Sequence, residues 1–202
     1  MCSSDPHDPL IEAGIIPKFC ILLDPRAHVQ DFIEDPHPKV TYLIASMCHP
    51  STLDRLMEKG AVHYGYHAQV GADELDAIKM RLGGKHFLLG GGCSAAMRGI
   101  SVMHCLGFRR FKLYGYDLCY FSEEGLDMDK KSADGEPHYF DVEVFGKKFL
   151  TDAEKVAQCQ DFNKIQELSK EVSVEVFGPG MVPHVWNHTR KILPEFKDVF
   201  GG

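Results

Sequence analysis

Five short apolar runs, KFCILLD (18–24), VTYLIAS (40–46), AVHYGY (61–66), KHFLLG (85–90) and FKLYGYD (111–117), set the frame for the whole chain. Each is rich in β-branched or aromatic residues and closes on polar or small ones, the pattern of a buried strand. Helical patterns lie between them: AHVQDFIED (27–35), HPSTLDRLMEKG (49–60), ADELDAIKMRLGG (72–84) and SAAMRGISVMHCLG (94–107). Ser51 or Thr52 is the expected cap of the second, and Gly60 and Gly107 are the expected stops. Strand and helix thus alternate roughly every twenty residues, which predicts a mostly parallel sheet with helices on both faces, an α/β three-layer sandwich.

After Asp117 the pattern changes. SEEGLDMDKKSADGEPH (122–138) is polar and reads as a loop, and HYFDVEVFGKKFLT alternates around Gly146, which predicts a β-hairpin excursion near 138–150. TDAE (151–154) has the form of a capping box opening an amphipathic helix to about Ser169. VSVEVFG (172–178) is a last strand, and GPGMVPHVWNHTRKIL is an irregular cap or short helix. At 202 residues the expectation is one domain, 1–202, without internal repeats.

Composition excludes several classes. A net charge of −7 argues against a nucleic-acid groove, which needs a basic surface. No apolar run is long enough to span a membrane, and the opening MCSSDPHDPL lacks the basic start and apolar core of a secretory signal, so a cytoplasmic protein is expected. Seven cysteines form an odd set without a CxxC pair and read as reduced thiols. The eleven histidines are scattered, with no HExxH, and carry no expectation of a metal cage.

Ligands of parallel α/β sheets bind beyond the carboxyl ends of the strands, so those ends are where chemistry is expected. The glycines 90–92 leave a strand and Ser94 can cap the next helix, so Gly91, Gly92 and Ser94 form a candidate phosphate cradle. The sequence lacks GxGxxG and GxxxxGK[ST], so a tight turn that needs glycine for packing alone is the competing reading. Asp24 and Arg26 follow the first run: the acid suits ribose hydroxyls or a divalent ion, and the arginine suits a phosphate. Ser46 follows the second run as a further nucleotide-binding candidate, and Asp117 ends the fifth as a ligand-facing or catalytic acid. His67 and His49 are candidate general bases, and His138, His184 and His188 rank below them.

The stretch GGGCSAAMRGISVMHCLGFRRFKLYGYDLCY, with its small-residue turn, helix, LGF, basic pair, apolar strand and G-x-D, resembles the 6-hydroxymethylpterin diphosphokinase MptE-like family. LIEAGIIPKFCILLDPR and TDAEKVAQCQDFNKIQELSKEVSVEVFGPG are similar to the segments before and after it, so the resemblance runs from about Leu10 to Gly180. That family includes motility-associated factors that glycosylate flagellin, and its layout is similar to that of bacterial sialyltransferases. The resemblance implies a Rossmann-like fold, with the family's first strand and its G-x-G-P-S turn missing. Where sialyltransferases of this layout carry a histidine base before the final helix, this chain has GKKFLTD, with Lys147 or Lys148.

The expected activity is transfer from a nucleotide-activated donor, a sugar nucleotide first, with ATP-dependent pyrophosphoryl transfer to a pterin or a non-catalytic binding protein as rivals. Gly91, Gly92, Ser94, Ser46 and Arg26 would hold the nucleotide, and Asp24 and Asp117 would take ribose or Mg²⁺. His67 and Asp117 would be catalytic, His67 taking the acceptor's proton. The expected partner is a small nucleotide ligand, with no nucleic acid and no membrane; a homo-oligomer is compatible with this reading.

Overall fold

The structure, a computed structural model, describes residues 1–69, 80–81, 88–122, 138–168 and 172–190. The predicted helix over 72–84 and loop over 122–138 fall mostly outside these residues, as does the end of the tail. The chain divides into two compact units, Met1–Gly107 and Phe108–Gly202.

The first unit is built on a five-stranded parallel sheet: β1 (Cys2–Ser3), β2 (Phe19–Leu22), β3 (Thr41–Ala45), β4 (His63–Ala68) and β5 (Leu88–Leu89), neighbours in that same order. Helices α1 (His7–Glu12), α2 (Pro50–Glu58) and α3 (Ala95–Cys105) flank it, giving the Rossmann-like α/β layout expected from the alternating runs. AHVQDFIED forms a 3-10 helix over Ala27–Phe32 rather than an α-helix. The two-residue β1 was not predicted, since two residues carry no periodicity.

Alternation along β2 and β3 splits the core in two. Cys20, Leu22, Tyr42 and Ile44 pack with Val29, Ile33 and Leu56 from the 3-10 helix and α2. Leu23, Ala45 and Ala68 cluster separately with Ala95 at the start of α3. Cys20, Ile21 and Leu22 are wholly buried, and each large apolar side chain so buried contributes about 1.5–3 kcal/mol. Helix α3 lies close against β1 and β2, and a Cβ at Gly99 would stand 3.3 Å from Met1 Sδ and 3.7 Å from Ile21 Cγ2. One buried polar pair is satisfied internally: Tyr42 Oη accepts from the His37 amide at 2.7 Å and shares a 2.8 Å bond with His7 Nε2.

The second unit pairs β6 (Arg110–Tyr114) with β9 (Ser173–Phe177) in parallel. The predicted hairpin is present as β7 (Tyr139–Val144) and β8 (Lys147–Asp152). Its two-residue turn has positive φ at both Phe145 and Gly146, the geometry that matches the right-handed twist of the flanking strands. Helices α4 (Ala153–Leu168) and α5 (Met181–Arg190) complete the unit.

Two caps differ from expectation. His49, not Ser51 or Thr52, caps α2, its ring nitrogen accepting from the Ser51 amide at 3.3 Å. At α4, β8 runs on through Thr151 and Asp152, so the strand absorbs the threonine. Thr151 Oγ1 donates to the Leu118 carbonyl at 3.1 Å, while Asp152 Oδ1 caps the helix through the Lys155 amide at 2.8 Å.

Candidate functional site

The parallel register sets the rim of the first unit. Leu22 pairs with Ile44, which brings Asp24 level with Ser46; Ala45 pairs with Tyr66, which brings Ser46 level with His67. His67 stands inside β4 rather than beyond it, opposite Leu88 of β5. Ser46 Oγ and His67 Nδ1 share a hydrogen bond of 2.8 Å, so two of the expected site residues meet directly. Beneath them Tyr66, half-buried, donates its hydroxyl to the Leu22 carbonyl at 3.2 Å, and burial pushes its phenol well above its ordinary range.

Asp24 and Arg26 fold onto each other. Oδ1 accepts from the Arg26 amide and Nε, both at 2.9 Å, and Oδ2 accepts from Nε at 3.0 Å and from Nη2. The arginine holds the Asp24 carboxyl below the usual carboxylate range. Both carboxylate oxygens are thereby engaged. No group of three or more histidine, cysteine or acidic side chains with metal-site geometry occurs among the described residues. Asp24 is open to a cation only where Arg26 is drawn off it.

The glycine turn is braced by its own helix. Gly91 and Gly92 both have positive φ; a Cβ on Gly91 would lie 2.8 Å from Ser101 Cβ, and one on Gly92 would lie 2.7 Å from Met97 Sδ. Packing against Ser101 favours glycine at 91, and positive φ favours it at both positions without any ligand. Ser94 caps α3, its Oγ accepting from the Met97 amide at 3.3 Å, so the helix begins at the turn. Arg98, in the first full turn of α3, is 1% exposed. Its Nη2 donates to the carbonyls of Gln69 at 2.9 Å and Gly92 at 2.7 Å, and its Nη1 to that of Leu89. Desolvation pulls this guanidinium below its usual range.

Asp117 belongs to the second unit. Its Oδ1 accepts from the Gly180 amide at 3.0 Å, and its carbonyl accepts from the amides of Met181 and Val182, so it organises the entry to α5. The turn closes tightly around it: a Cβ on Gly178 would lie 2.6 Å from Asp117 Oδ1, and one on Gly180 would lie 2.6 Å from its Cα and closer still to its side chain. Nearby, Lys147, His184, Asn187 and His188 line a shallow cavity of about 210 Å³. Asp152, almost fully buried, accepts from Tyr120 Oη at 2.7 Å and Lys155 Nζ at 2.9 Å.

Sequence reasoning passed over Arg98 and ranked His184 and His188 low. The signal for Arg98 was a lone charge inside the apolar pattern SAAMRGISVM; for the histidines it was the spacing of four in HVWNH, which brings their ring centroids to 4.2 Å, tilted by 48°, on α5.

A family model described as 6-hydroxymethylpterin diphosphokinase MptE-like matches residues 1–123. No curated protein and no solved structure matches the chain. No helix among the described residues is long and apolar enough to cross a membrane.

Proposed function

Because the chain belongs to the 6-hydroxymethylpterin diphosphokinase MptE-like family, a transferase-like family, we propose that it moves a group from a nucleotide-activated donor to a hydroxyl acceptor, with a sugar nucleotide as the first donor class. The observation that carries this reading is the Ser46–His67 hydrogen bond on the rim that also holds Arg26 and the glycine turn.

A base needs an unprotonated nitrogen. If His67 donates Nδ1–H to Ser46 Oγ, Nε2 is left to accept the acceptor's proton, and the serine fixes both tautomer and ring orientation. As that hydroxyl oxygen bonds to the donor carbon, the bond from carbon to phosphate oxygen breaks and the nucleotide leaves with the electron pair. The growing negative charge then falls to Arg26, exchanged from Asp24 onto phosphate, and to the first-turn amides of α3. Mg²⁺, when bound, would supply charge neutralisation of the phosphates.

Pyrophosphoryl transfer from ATP is the second reading, favoured by the description of the matching family model. It leans on carboxylates that hold metal ions, a task Asp24 could take only once Arg26 has left it for phosphate. Thermal shift with CMP, UDP, GDP and ATP, each with and without Mg²⁺, separates the two. Stabilisation by a cytidine, uridine or guanosine nucleotide supports glycosyl transfer, and a response confined to ATP with Mg²⁺ supports the diphosphokinase. Silence with all four at millimolar concentration would remove both in favour of a non-catalytic scaffold.

A further inference from the structure

His184 and His188 stand one helical turn apart on α5 and line the same shallow cavity of the second unit. Each ring has one nitrogen committed to a backbone carbonyl. His184 Nε2 bonds the Val144 carbonyl at 3.0 Å, and His188 Nδ1 bonds the His184 carbonyl at 2.8 Å. A carbonyl only accepts, so both of those nitrogens carry hydrogen. In the neutral imidazole the other nitrogen of each ring is then a lone pair: Nδ1 on His184 and Nε2 on His188.

Aromatic neighbours hold both rings. Phe145, in the hairpin turn, stacks on His188 with ring centroids 5.0 Å apart and planes 8° from parallel. Phe149 of β8 packs against His184 at 5.3 Å. The two imidazole centroids are 4.2 Å apart, close enough for one ion with bonds of about 2.1 Å to take a nitrogen from each. Histidines that ligate metals ordinarily donate their second ring N–H to a carbonyl or carboxylate, which fixes tautomer and ring orientation, and both rings here do so. Lys147 shares the cavity, with its ammonium donating to the Pro179 carbonyl at 2.9 Å and lying 4.9 Å over the Phe149 ring.

We propose that His184 and His188 form a two-imidazole site for a divalent transition-metal ion of the Zn²⁺ class. Imidazole nitrogen suits Zn²⁺, Ni²⁺ and Cu²⁺, whereas Mg²⁺ and Ca²⁺ take oxygen ligands. An anion is the wrong chemistry for the pair, since neutral rings offer it lone pairs in place of donors. Among the described residues no third histidine, cysteine or acid completes a cage, so the remaining positions fall to water, as in an open site. With two protein ligands and an ammonium in the same cavity, the ion is held more weakly than at a closed four-ligand site. Bound there, it staples one turn of α5. The inference goes beyond the transferase reading and uses none of the residues assigned to that reaction.

The test titrates Zn²⁺ into the full chain and follows the histidine ring nitrogens by heteronuclear NMR. A site-resolved readout is needed because free cysteines, Cys93 and Cys105 among them exposed, also take Zn²⁺. The expected result is a saturable shift of His184 Nδ1 and His188 Nε2 with one common midpoint, while His184 Nε2 and His188 Nδ1 stay protonated. His188→Gln removes one ligand and should weaken the Zn²⁺ response at His184 by at least about tenfold. An unchanged His184 response in that variant overturns the proposal. So does silence at both rings up to about 1 mM Zn²⁺, including uptake by thiols alone. Should His188→Gln fail to fold, the wild type decides: a shared midpoint at the two rings supports one bridging ion, and separate midpoints refute it.

Discussion

Ser46 Oγ lies 2.8 Å from His67 Nδ1, joining the ends of two adjacent parallel strands through a side-chain hydrogen bond. His67 stands within β4, and Ser46 directly follows β3 with its amide donating to the Tyr66 carbonyl at 2.8 Å, so the sheet positions both. If His67 is the base, His67→Ala should lower turnover by about a hundredfold to ten-thousandfold while nucleotide binding persists. Ser46→Ala should lower it about tenfold, by releasing the tautomer rather than removing the base. Steady-state kinetics beside ligand thermal shift reads both; a His67→Ala enzyme with wild-type turnover ends the assignment.

The glycine turn gives a stability prediction that needs no ligand. Gly91→Ala and Gly92→Ala each place a Cβ against α3 and force an alanine into positive φ. A cost of about 2–4 kcal/mol is expected for either. Denaturant midpoints measure it, and a loss under about 0.5 kcal/mol would mean that the turn repacks cheaply.

Asp117 offers a separation of roles. Asp117→Ala removes the acceptor of the Gly180 amide and should cost about 1 kcal/mol, whereas Asp117→Asn keeps an acceptor oxygen and should leave the melting temperature nearly unchanged. Activity in Asp117→Asn then tells whether the negative charge has a task beyond the turn: wild-type turnover assigns it to structure.

Asp152 makes the second unit sensitive to acid. Burial raises its pKa, but the Lys155 amide, the Lys155 ammonium and the Tyr120 hydroxyl outweigh that and hold the carboxyl below its ordinary range. The native state therefore binds fewer protons here than the unfolded chain. The resulting stability is fully present above the unfolded carboxylate value of about 4 and is lost as pH falls through the native one. Asp152→Asn, which keeps the cap, should show a flatter stability curve below about pH 4 than the wild type. Chemical denaturation at stepped pH measures this, and parallel curves would contradict it.

The alternation of strand and helix was legible because β2 and β3 bury both faces and leave unbroken apolar runs, and the hairpin because Gly146 interrupts a clean period of two. Capping was less legible. Thr151 and Asp152 are both good caps, and the choice between them depended on how far β8 extends, a matter of pairing with Tyr139 and Phe140 rather than of local preference. The strand-end residues Asp24, Ser46 and His67 could be named from the pattern, since any parallel sheet presents its carboxyl ends together. Arg98 was only hinted at by its place in an apolar pattern, because the pattern does not say whether a helix's one arginine meets water or carbonyls.

The bracing of Gly91 and Gly92 by Ser101 and Met97 has a kinetic consequence. A bend clamped by its own helix is shaped before anything arrives, so an incoming molecule has little backbone freedom to freeze. Arrival should then be governed by diffusion and electrostatic steering rather than by a slow closing step, and residence time by contacts alone.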